Sequence, residues 1–242
     1  MNQPTTSHRY RQLSRNNNQP LALKIKRGLA YLLLAFIGSS LVSVALLRFM
    51  PMPTSAFMLN QHFEDLFAGQ GYRAINQDWI SYEKISKHAS QAIIASEDQL
   101  FYQHNGFDIN AIQKAYQRYE NGGSLRGAST ISQQVAKNLF LVPAKNLVRK
   151  ALEIWFTVLL EMLWSKERIL EMYLNIAEFG DHLFGIEAAS RHYFGISAKQ
   201  LSAEQSALLA ATLPNPIRFK ANQPSEYVYK RQAWILRQMR HF

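Results

Sequence analysis

Hydrophobic positions are unevenly distributed along the chain, and the densest group stands near its start. Gly28 to Leu47 reads GLAYLLLAFIGSSLVSVALL, twenty residues without a charge. At about 1.5 Å of rise per residue, a helix of this length spans roughly 30 Å, the thickness of a bilayer's hydrocarbon core. A buried core helix is the alternative, but such helices are usually shorter and keep a polar face. The run therefore predicts a transmembrane anchor.

Basic residues flank this run mainly on one side. Six of them and no acid precede the run, whereas only Arg48 follows closely. This asymmetry predicts that residues 1–27 are a basic cytoplasmic tail and that residues 28–47 cross the membrane. No convincing cleavage site follows, so we expect an uncleaved anchor. Residues 48–242 are then expected to form a periplasmic domain attached to the cell inner membrane.

Beyond the anchor, the hydrophobic spacing is helical rather than alternating. Ile85, Ala89 and Ile93 form an apolar stripe, and Ser165 and Ser202 stand where capping signals predict helix starts. Few stretches alternate convincingly, and no repeats are found. The pattern predicts a mainly α fold.

Composition and charge narrow the possible functions. The chain has no cysteine, which excludes disulfide frameworks, thiolate nucleophiles and cysteine-based zinc sites. Its net charge of +10 and pI of about 9.8 invite a nucleic-acid interpretation. Seven of the basic residues, however, belong to the tail and Arg48, and the remainder carries only +3. Nucleic acid is therefore a minor alternative, and the sequence contains no P-loop.

The first stretch that carries candidate chemistry is EDQLFYQHNGFD, which begins at Glu97. On a continuous helix, Asp98 would point about 100° away from Glu97, so the two acids need not share a role. Phe101 would lie one turn after Glu97, where it could desolvate the carboxylate and make it a better base. His104 would follow on the same side. A capping or core histidine is its favoured interpretation, because nothing indicates a nucleophile for it to activate.

The second stretch is GASTISQQVAKNLFL, residues 127–141, after a loop predicted at residues 121–127 from its glycines. On a helical wheel, Ile131, Val135 and Leu139 form a core stripe. The opposite side carries donors that suit sugar hydroxyls and phosphate oxygens, namely Thr130, Gln133, Gln134 and Lys137. An ordinary surface helix is the alternative, although surface helices favour Glu and Lys pairs over adjacent glutamines.

The third stretch, NLVRKALEIWFTVLLE, places two cations one turn before an acid. Arg149 and Lys150 precede Glu153 by four and three residues, and an exposed pair of this kind contributes only about 0.2–0.5 kcal/mol. The bulky apolar residues around Glu153 instead predict a partly buried carboxylate held ionised by both cations. Two adjacent cations could equally hold a phosphate.

Together these stretches resemble the peptidoglycan glycosyltransferases (glycosyltransferase family 51), and among them the monofunctional members of Gram-negative bacteria. The resemblance covers residues 53–240. Its motifs are E-D-x-x-F-x-x-H-x-G at 97–106, G-x-S-T-[IL]-[ST]-Q-Q-x-x-K-N at 127–138, R-K-x-x-E at 149–153 and K-x-x-I-L-E-x-Y-L-N at 166–175. They occur in the family's order, with Ser132 where many members have threonine.

The resemblance implies a lysozyme-like, mainly α fold with a hydrophobic sub-region that dips into the membrane. It also implies polymerisation of lipid II: the acceptor's 4-hydroxyl attacks C1 of the donor chain, the linkage inverts, and undecaprenyl pyrophosphate leaves. By their motif positions, Glu97 would be the general base and Glu153 the second essential carboxylate, in the donor region. Eleven residues would contact or shape the substrate groove, namely Asp98, Phe101, His104, Ser129, Thr130, Gln133, Gln134, Lys137, Asn138, Arg149 and Lys150.

The resemblance further implies that no covalent cofactor is needed. Family members often work better with Mg²⁺ or Mn²⁺, which would neutralise the diphosphate, and moenomycin inhibits them by mimicking the donor. The sequence shows no metal-ligand spacing from which ligands could be named. Many relatives carry a second, penicillin-binding transpeptidase domain. Here SYEK, from Ser81 to Lys84, fits S-x-x-K by chance, and no K-T-G accompanies it.

Two other functions stay open at the level of the residues. A lysozyme or lytic transglycosylase also uses paired carboxylates, but a glycan-cleaving enzyme has no use for a cationic pyrophosphate site. The second open function is that of a membrane scaffold. The closing stretch YKRQAWILRQMRHF predicts a basic amphipathic helix that could bind division proteins. The same helix could equally lie on lipid or pack against the domain. Expected partners are lipid II, nascent glycan strands, membrane lipid and other cell-wall synthesis or division proteins.

Overall fold

The computed structural model describes residues 20–123, 127–144 and 146–242. Most of the predicted basic tail and the middle of the predicted loop at 121–127 lie outside these residues. Helices dominate the described chain, which confirms the mainly α prediction. The α-helices are α1 Leu21–Leu47, α2 Ala56–Phe67, α3 Lys87–Glu97, α4 Ile109–Glu120, α5 Ile131–Phe140, α6 Leu147–Leu163, α7 Lys166–Ile176, α8 Ile186–Phe194, α9 Ala203–Thr212 and α10 Glu226–Gln238.

The first helix contains the predicted membrane span. Helix α1 begins at Leu21, seven residues before the predicted start, and ends with the apolar run at Leu47. Within the described ranges it is the one helix long and apolar enough to cross a membrane. The chain divides into a smaller N-terminal unit that ends at Ser43 and a larger unit, Val44–Phe242. The predicted domain limits stay predictions, and this division assigns residues 44–47 to the larger unit.

Side-chain caps determine where most helices begin. In eight of them, a side-chain oxygen before the first turn accepts a backbone N–H two or three residues further on. A cap of this kind typically contributes about 1 kcal/mol. The capping residues are Ser55, Ser86, Asp108, Thr130, Asn146, Ser165, Ser202 and Ser225. The predicted helix starts at Ser165 and Ser202 are confirmed.

The core forms where α5, α7, α3 and α9 present their apolar stripes. Helix α5 packs against α6 and α7, α3 packs against α9, and α10 packs against both α9 and α3. The predicted stripe of α5 is confirmed, since Ile131, Val135 and Leu139 are all buried. This packing brings the C-terminal end of α3 close to α10.

A small sheet completes the larger unit. Strand β1 (Asn76–Gln77) runs parallel to β3 (Leu183–Phe184), and β2 (Glu178–Gly180) runs antiparallel to β3 on the other side. The register pairs Asn76 with Leu183. The strands are only two or three residues long, which is why the sequence shows no alternation that would reveal them.

The first residues of the larger unit are tied to the junction of α6 and α7. Val44 is fully buried, and its carbonyl accepts a hydrogen bond from the indole N–H of Trp164 at 2.8 Å. The guanidinium of Arg168 donates to the carbonyl of Leu47 at 2.6 Å and also to that of Met50. Residues 44–50 are therefore part of this unit's folded structure.

Candidate active site

Glu97 is the last residue of α3 and is held by donors from two other helices. Its Oε2 accepts a hydrogen bond from Nε2 of Gln134, on α5, at 3.0 Å. Its Oε1 faces a guanidinium nitrogen of Arg231, on α10, at 3.5 Å. The side chain keeps 16% of its exposure. The carboxylate is thus held in place by two helices while it remains accessible from outside.

The prediction of one continuous helix through Glu97, Phe101 and His104 is wrong. Helix α3 ends at Glu97, and Asp98 leaves the helical conformation with φ −162° and ψ 79°. The chain then turns, so Phe101 does not lie one turn along a helix from Glu97. Its ring is fully buried beneath the ammonium of Lys166, which lies 4.6 Å from the ring centroid. Phe101 therefore has no exposed surface with which to contact a substrate.

Asp98 is a buried connection between the loop after α3 and the start of α5. Its Oδ2 accepts the backbone N–H of Ile131 at 3.0 Å, and its Oδ1 lies 2.9 Å from Nε2 of His104. The backbone N–H of Gly106 donates to Nδ1 of His104, so Nε2 carries the proton that is donated to Asp98. Burial raises the pKa of Asp98, and the hydrogen bond from His104 opposes that shift. The interpretation of His104 as a capping or core histidine agrees with this geometry.

Gly106 allows this loop to approach α6 closely. Its φ is +85°, and a Cβ there would lie 2.7 Å from Cγ2 of Thr157. Its carbonyl accepts a hydrogen bond from the hydroxyl of Thr130 at 2.7 Å. Only glycine satisfies both the backbone conformation and the contact. Gly106, the last residue of the first motif, therefore lets this loop contact both the start of α5 and the side of α6.

The predicted donor face of α5 is only partly correct. Thr130 and Gln133 are buried and form a capping box, in which each side chain bonds to the other residue's backbone N–H. They are used to start the helix and are not directed at a ligand. Gln134 does reach Glu97, and its Oε1 accepts from the hydroxyl of Tyr173 at 3.4 Å. Asn138 is half-buried, and within the described structure its Oδ1 has no partner.

Glu153 lies in a different environment, on α6. It is only 3% exposed. Its Oε2 accepts from Nη1 of Arg149 at 2.7 Å, and its Oε1 is bonded by the ammonium of Lys150. Both oxygens are thus occupied by cations from the preceding turn. The prediction of a carboxylate paired with both cations is confirmed, and its burial is more complete than predicted.

Lys137 is a cation whose charge interacts with both carboxylates. Burial lowers its pKa, the negative charges of Glu153 and Glu97 act in the opposite direction, and Arg149 and Lys150 lower it further. Its ammonium lies 5.2 Å from the centroid of the Phe57 ring. Among the described residues, no carboxylate lies within ion-pairing distance of it. Lys137 therefore stands within electrostatic reach of both glutamates and keeps hydrogen-bonding capacity for a ligand.

A cavity of about 370 Å³ opens beside Glu97. Its walls include Ser96, Asp108, Ser129 and Trp234 as well as Glu97. The cavity can hold a polar ring next to a base. Arg231 and Trp234 were missed in the sequence, because a basic amphipathic helix carries no signal of the surface it approaches. Arg231 lies 134 residues from Glu97 along the chain.

Comparisons with known proteins show the family of this chain. The family model described as transglycosylase matches residues 64–240. A protein of Chromohalobacter salexigens named biosynthetic peptidoglycan transglycosylase is 52% identical over 219 residues, which cover 89% of this chain and 93% of the relative. Relatives of the same name from Pasteurella multocida and Haemophilus influenzae are 53% and 56% identical. They cover 91% and 79% of this chain, and 88% and 78% of their own lengths.

Proposed function

Because this chain belongs to the transglycosylase family, we propose that it polymerises lipid II into peptidoglycan glycan strands by inverting glycosyl transfer. The acceptor's 4-hydroxyl oxygen bonds to C1 of the donor sugar, and the bond from C1 to the diphosphate oxygen breaks. The hydroxyl proton passes to the enzyme, and undecaprenyl pyrophosphate leaves with the bonding electrons. The mainly α architecture fits the lysozyme-like fold of this family.

The observation that carries the proposal is the setting of Glu97. A general base must reach the proton that it removes and must be ionised before it does so. Glu97 borders the cavity, and donors from Gln134 and Arg231 hold its carboxylate in place there. We assign it as the base that takes the proton from the acceptor hydroxyl.

The donor's diphosphate is assigned to the cationic end of the site. Arg149 and Lys150 already neutralise Glu153, so only part of their hydrogen-bonding capacity remains for a ligand. Lys137 has no such counterion in the described structure and is the natural ligand for charge that develops on the leaving group. Glu153 orients the two neighbouring cations and limits their repulsion of Lys137. In this proposal it does not transfer a proton.

A divalent cation is assigned to the substrate, not to the protein. The described residues include no cluster of three or more His, Asp or Glu side chains that could hold a metal ion. Mg²⁺ or Mn²⁺ would instead bind the diphosphate oxygens, which are hard ligands of the type that both ions prefer. A chelator is expected to slow polymerisation, and added Mg²⁺ to restore it.

The proposal includes a location. Helix α1 is a candidate single-pass anchor by its length and apolar composition. We propose that it holds the enzyme in the inner membrane with a cytoplasmic N-terminus, because six basic residues precede its apolar run. The larger unit would then work in the periplasm, where the substrate's lipid lies in the same membrane. Other cell-wall or division proteins are proposed as partners.

Incubation of the full chain with lipid II in detergent tests the function directly. Long glycan strands should form, moenomycin should prevent their formation, and finished glycan should stay intact. Cleavage of finished glycan without strand formation would favour the hydrolase. Strand formation without peptide cross-linking would agree with a monofunctional enzyme. A chain that neither builds nor cleaves glycan would contradict the proposal and favour the scaffold.

A further inference from the structure

The C-terminal helix α10 turns one flank toward the end of α3. Arg231 contacts the carbonyl of Ser96 at 3.4 Å and the carboxylate of Glu97 at 3.5 Å. Two turns later, Gln238 accepts a hydrogen bond from Gln99 at 3.4 Å. These contacts hold α10 to the segment that carries the base at two points on the same flank.

Trp234 lies between these two contacts on the helix. It follows Arg231 by three residues and precedes Gln238 by four, so the three side chains share one side of α10. Its indole is part of the wall of the 370 Å³ cavity that Glu97 also borders. The orientation of α10 thus directs an aromatic ring at the space where the base would act.

The fold itself does not require a tryptophan at this position. The core-facing stripe of α10 is formed by Val228 and Ile235, which are buried as is Met239 directly after the helix, whereas Trp234 keeps 37% of its exposure. Within the described residues its indole N–H makes no hydrogen bond, and its ring makes no aromatic or cation contact. A large ring with an available donor on a cavity wall has the properties of a ligand contact.

The chemistry of the cavity indicates a sugar ring. A pyranose presents C–H groups on its face and hydroxyls at its edge, and such a face packs well on an electron-rich indole. The lining also includes polar residues, namely Glu97, Ser96 and Ser129, of which Ser96 already donates its hydroxyl to the carbonyl of Ile93. A ring packed on Trp234 would therefore keep its edge directed at polar groups.

We propose that Trp234 is a substrate-binding residue of the acceptor subsite, whose indole packs against the sugar from which Glu97 removes the 4-hydroxyl proton. The inference rests on the proposed function. It assigns α10 to the active site, where it supplies both a residue that orients the base and a surface that binds the acceptor. Neither membrane binding nor partner binding is needed to explain this flank of the helix.

Kinetics of three variants of the full chain test the assignment. With donor chains fixed and lipid II varied as the acceptor, Trp234→Ala should raise the acceptor KM by about tenfold, the usual order for lost stacking on an aromatic ring. Its kcat should change little. Trp234→Phe should recover most of the loss, because a flat ring is retained. Tyr229→Ala removes an exposed aromatic residue of the same helix outside the cavity wall and should match the unchanged chain.

A binding measurement separates a contact with the sugar from a structural role. The indole N–H resonances of the Glu97→Gln chain, labelled with ¹⁵N-tryptophan, would be followed in detergent micelles, and Trp234→Phe would identify the relevant signal. Lipid II should shift this signal, whereas undecaprenyl pyrophosphate, which lacks the sugars, should not. Equal shifts with both lipids, or no shift with lipid II, would overturn the proposal.

The outcomes distinguish this inference from the function on which it rests. If the unchanged chain fails to polymerise lipid II, the proposed function is wrong. If the unchanged chain polymerises lipid II and Trp234→Ala keeps its acceptor KM, only the assignment of Trp234 is wrong. An equal loss of activity in Trp234→Phe and Trp234→Ala with a lowered unfolding temperature would indicate a packing role and would also reject the assignment.

Discussion

Glu97 and Glu153, whose charges both act on Lys137, are two carboxylates in contrasting surroundings. Glu97 stands at the end of a helix, borders a cavity, and is approached by an amide at 3.0 Å and a guanidinium at 3.5 Å. Glu153 lies in the middle of α6, is almost fully buried, and has one cation on each oxygen. The first has one long ion pair and stays accessible, whereas both oxygens of the second are bonded to cations.

The contrast assigns different functions to residues of the same chemical type. A carboxylate that stays accessible suits proton transfer, whereas one saturated by cations suits the placement of positive charge near a leaving group. Sequence spacing alone could not establish this difference, because both acids have apolar neighbours. The variants below test it, from the largest expected effect to the smallest.

Glu97→Gln should give the largest loss of activity. The amide keeps the size of the side chain but cannot take the acceptor's proton, so kcat for strand synthesis should fall by about 10³-fold, within the range for a lost general base. Lipid II binding and the unfolding temperature should change little. Glu226→Gln, which alters an exposed glutamate on α10, is the control. A Glu97→Gln chain with normal kcat would refute the assignment.

Glu153→Gln should combine a loss of activity with a loss of stability. The change leaves two cations beside a buried amide, and the free energy of unfolding should fall by less than the roughly 3 kcal/mol of a pair buried on both sides, because water reaches the ammonium of Lys150. Denaturant unfolding of Glu153→Gln and Glu97→Gln, measured side by side, checks the comparison. Equal stability of the two variants would mean that their surroundings do not differ in the way described.

Lys137 should determine how the site responds to alkaline pH. Burial lowers its pKa, so this ammonium loses its charge at a lower pH than an ordinary lysine as the pH rises. We expect kcat/KM for the donor to fall through that range, and Lys137→Arg to remove the fall because a guanidinium stays protonated. Lys137→Ala should weaken donor use more than acceptor use at neutral pH. Equal losses for donor and acceptor would argue against a role at the diphosphate.

Arg231→Gln should give the smallest effect. Arg231 helps to orient Glu97 through a long contact, so its loss should lower kcat by about fivefold, less than the loss of a hydrogen bond of normal length to a charged group would give. The acceptor KM should remain the same. Arg237→Gln, an exposed change on the same helix, should leave the rate unaltered. A larger effect on KM than on kcat would place Arg231 in substrate binding.

The local features of the site could largely be predicted from the sequence. The buried stripe of α5 and the pairing of Glu153 with Arg149 and Lys150 follow from helical spacing, which is a property of neighbouring residues. The capping box of Thr130 and Gln133 was also readable, since threonine followed three residues later by glutamine is its known signature. Because the capping box was not predicted, Thr130 and Gln133 were counted among the donors available to a ligand.

The remaining features depend on contacts between distant segments. Helix α3 ends at Glu97 because Asp98 turns away to accept the first N–H group of α5, and this tertiary bond overrides the local helical pattern. The approach of α10 to Glu97 follows from the packing of α10 on α9 and α3. No pattern within residues 226–238 specifies that contact.

The bonds from Trp164 and Arg168 to the carbonyls of residues 44–50 bear on how the protein can be produced in water. A shortened chain that began at Arg48 would remove the buried side chain of Val44 and the carbonyls of Val44 and Leu47. The indole N–H of Trp164 would lose its acceptor, and Arg168 would lose one of its acceptors. Such a truncated chain should be prone to aggregate even though it lacks the hydrophobic run of α1. A shortened chain should therefore start before Val44, in a detergent that covers the few apolar residues of α1 that remain.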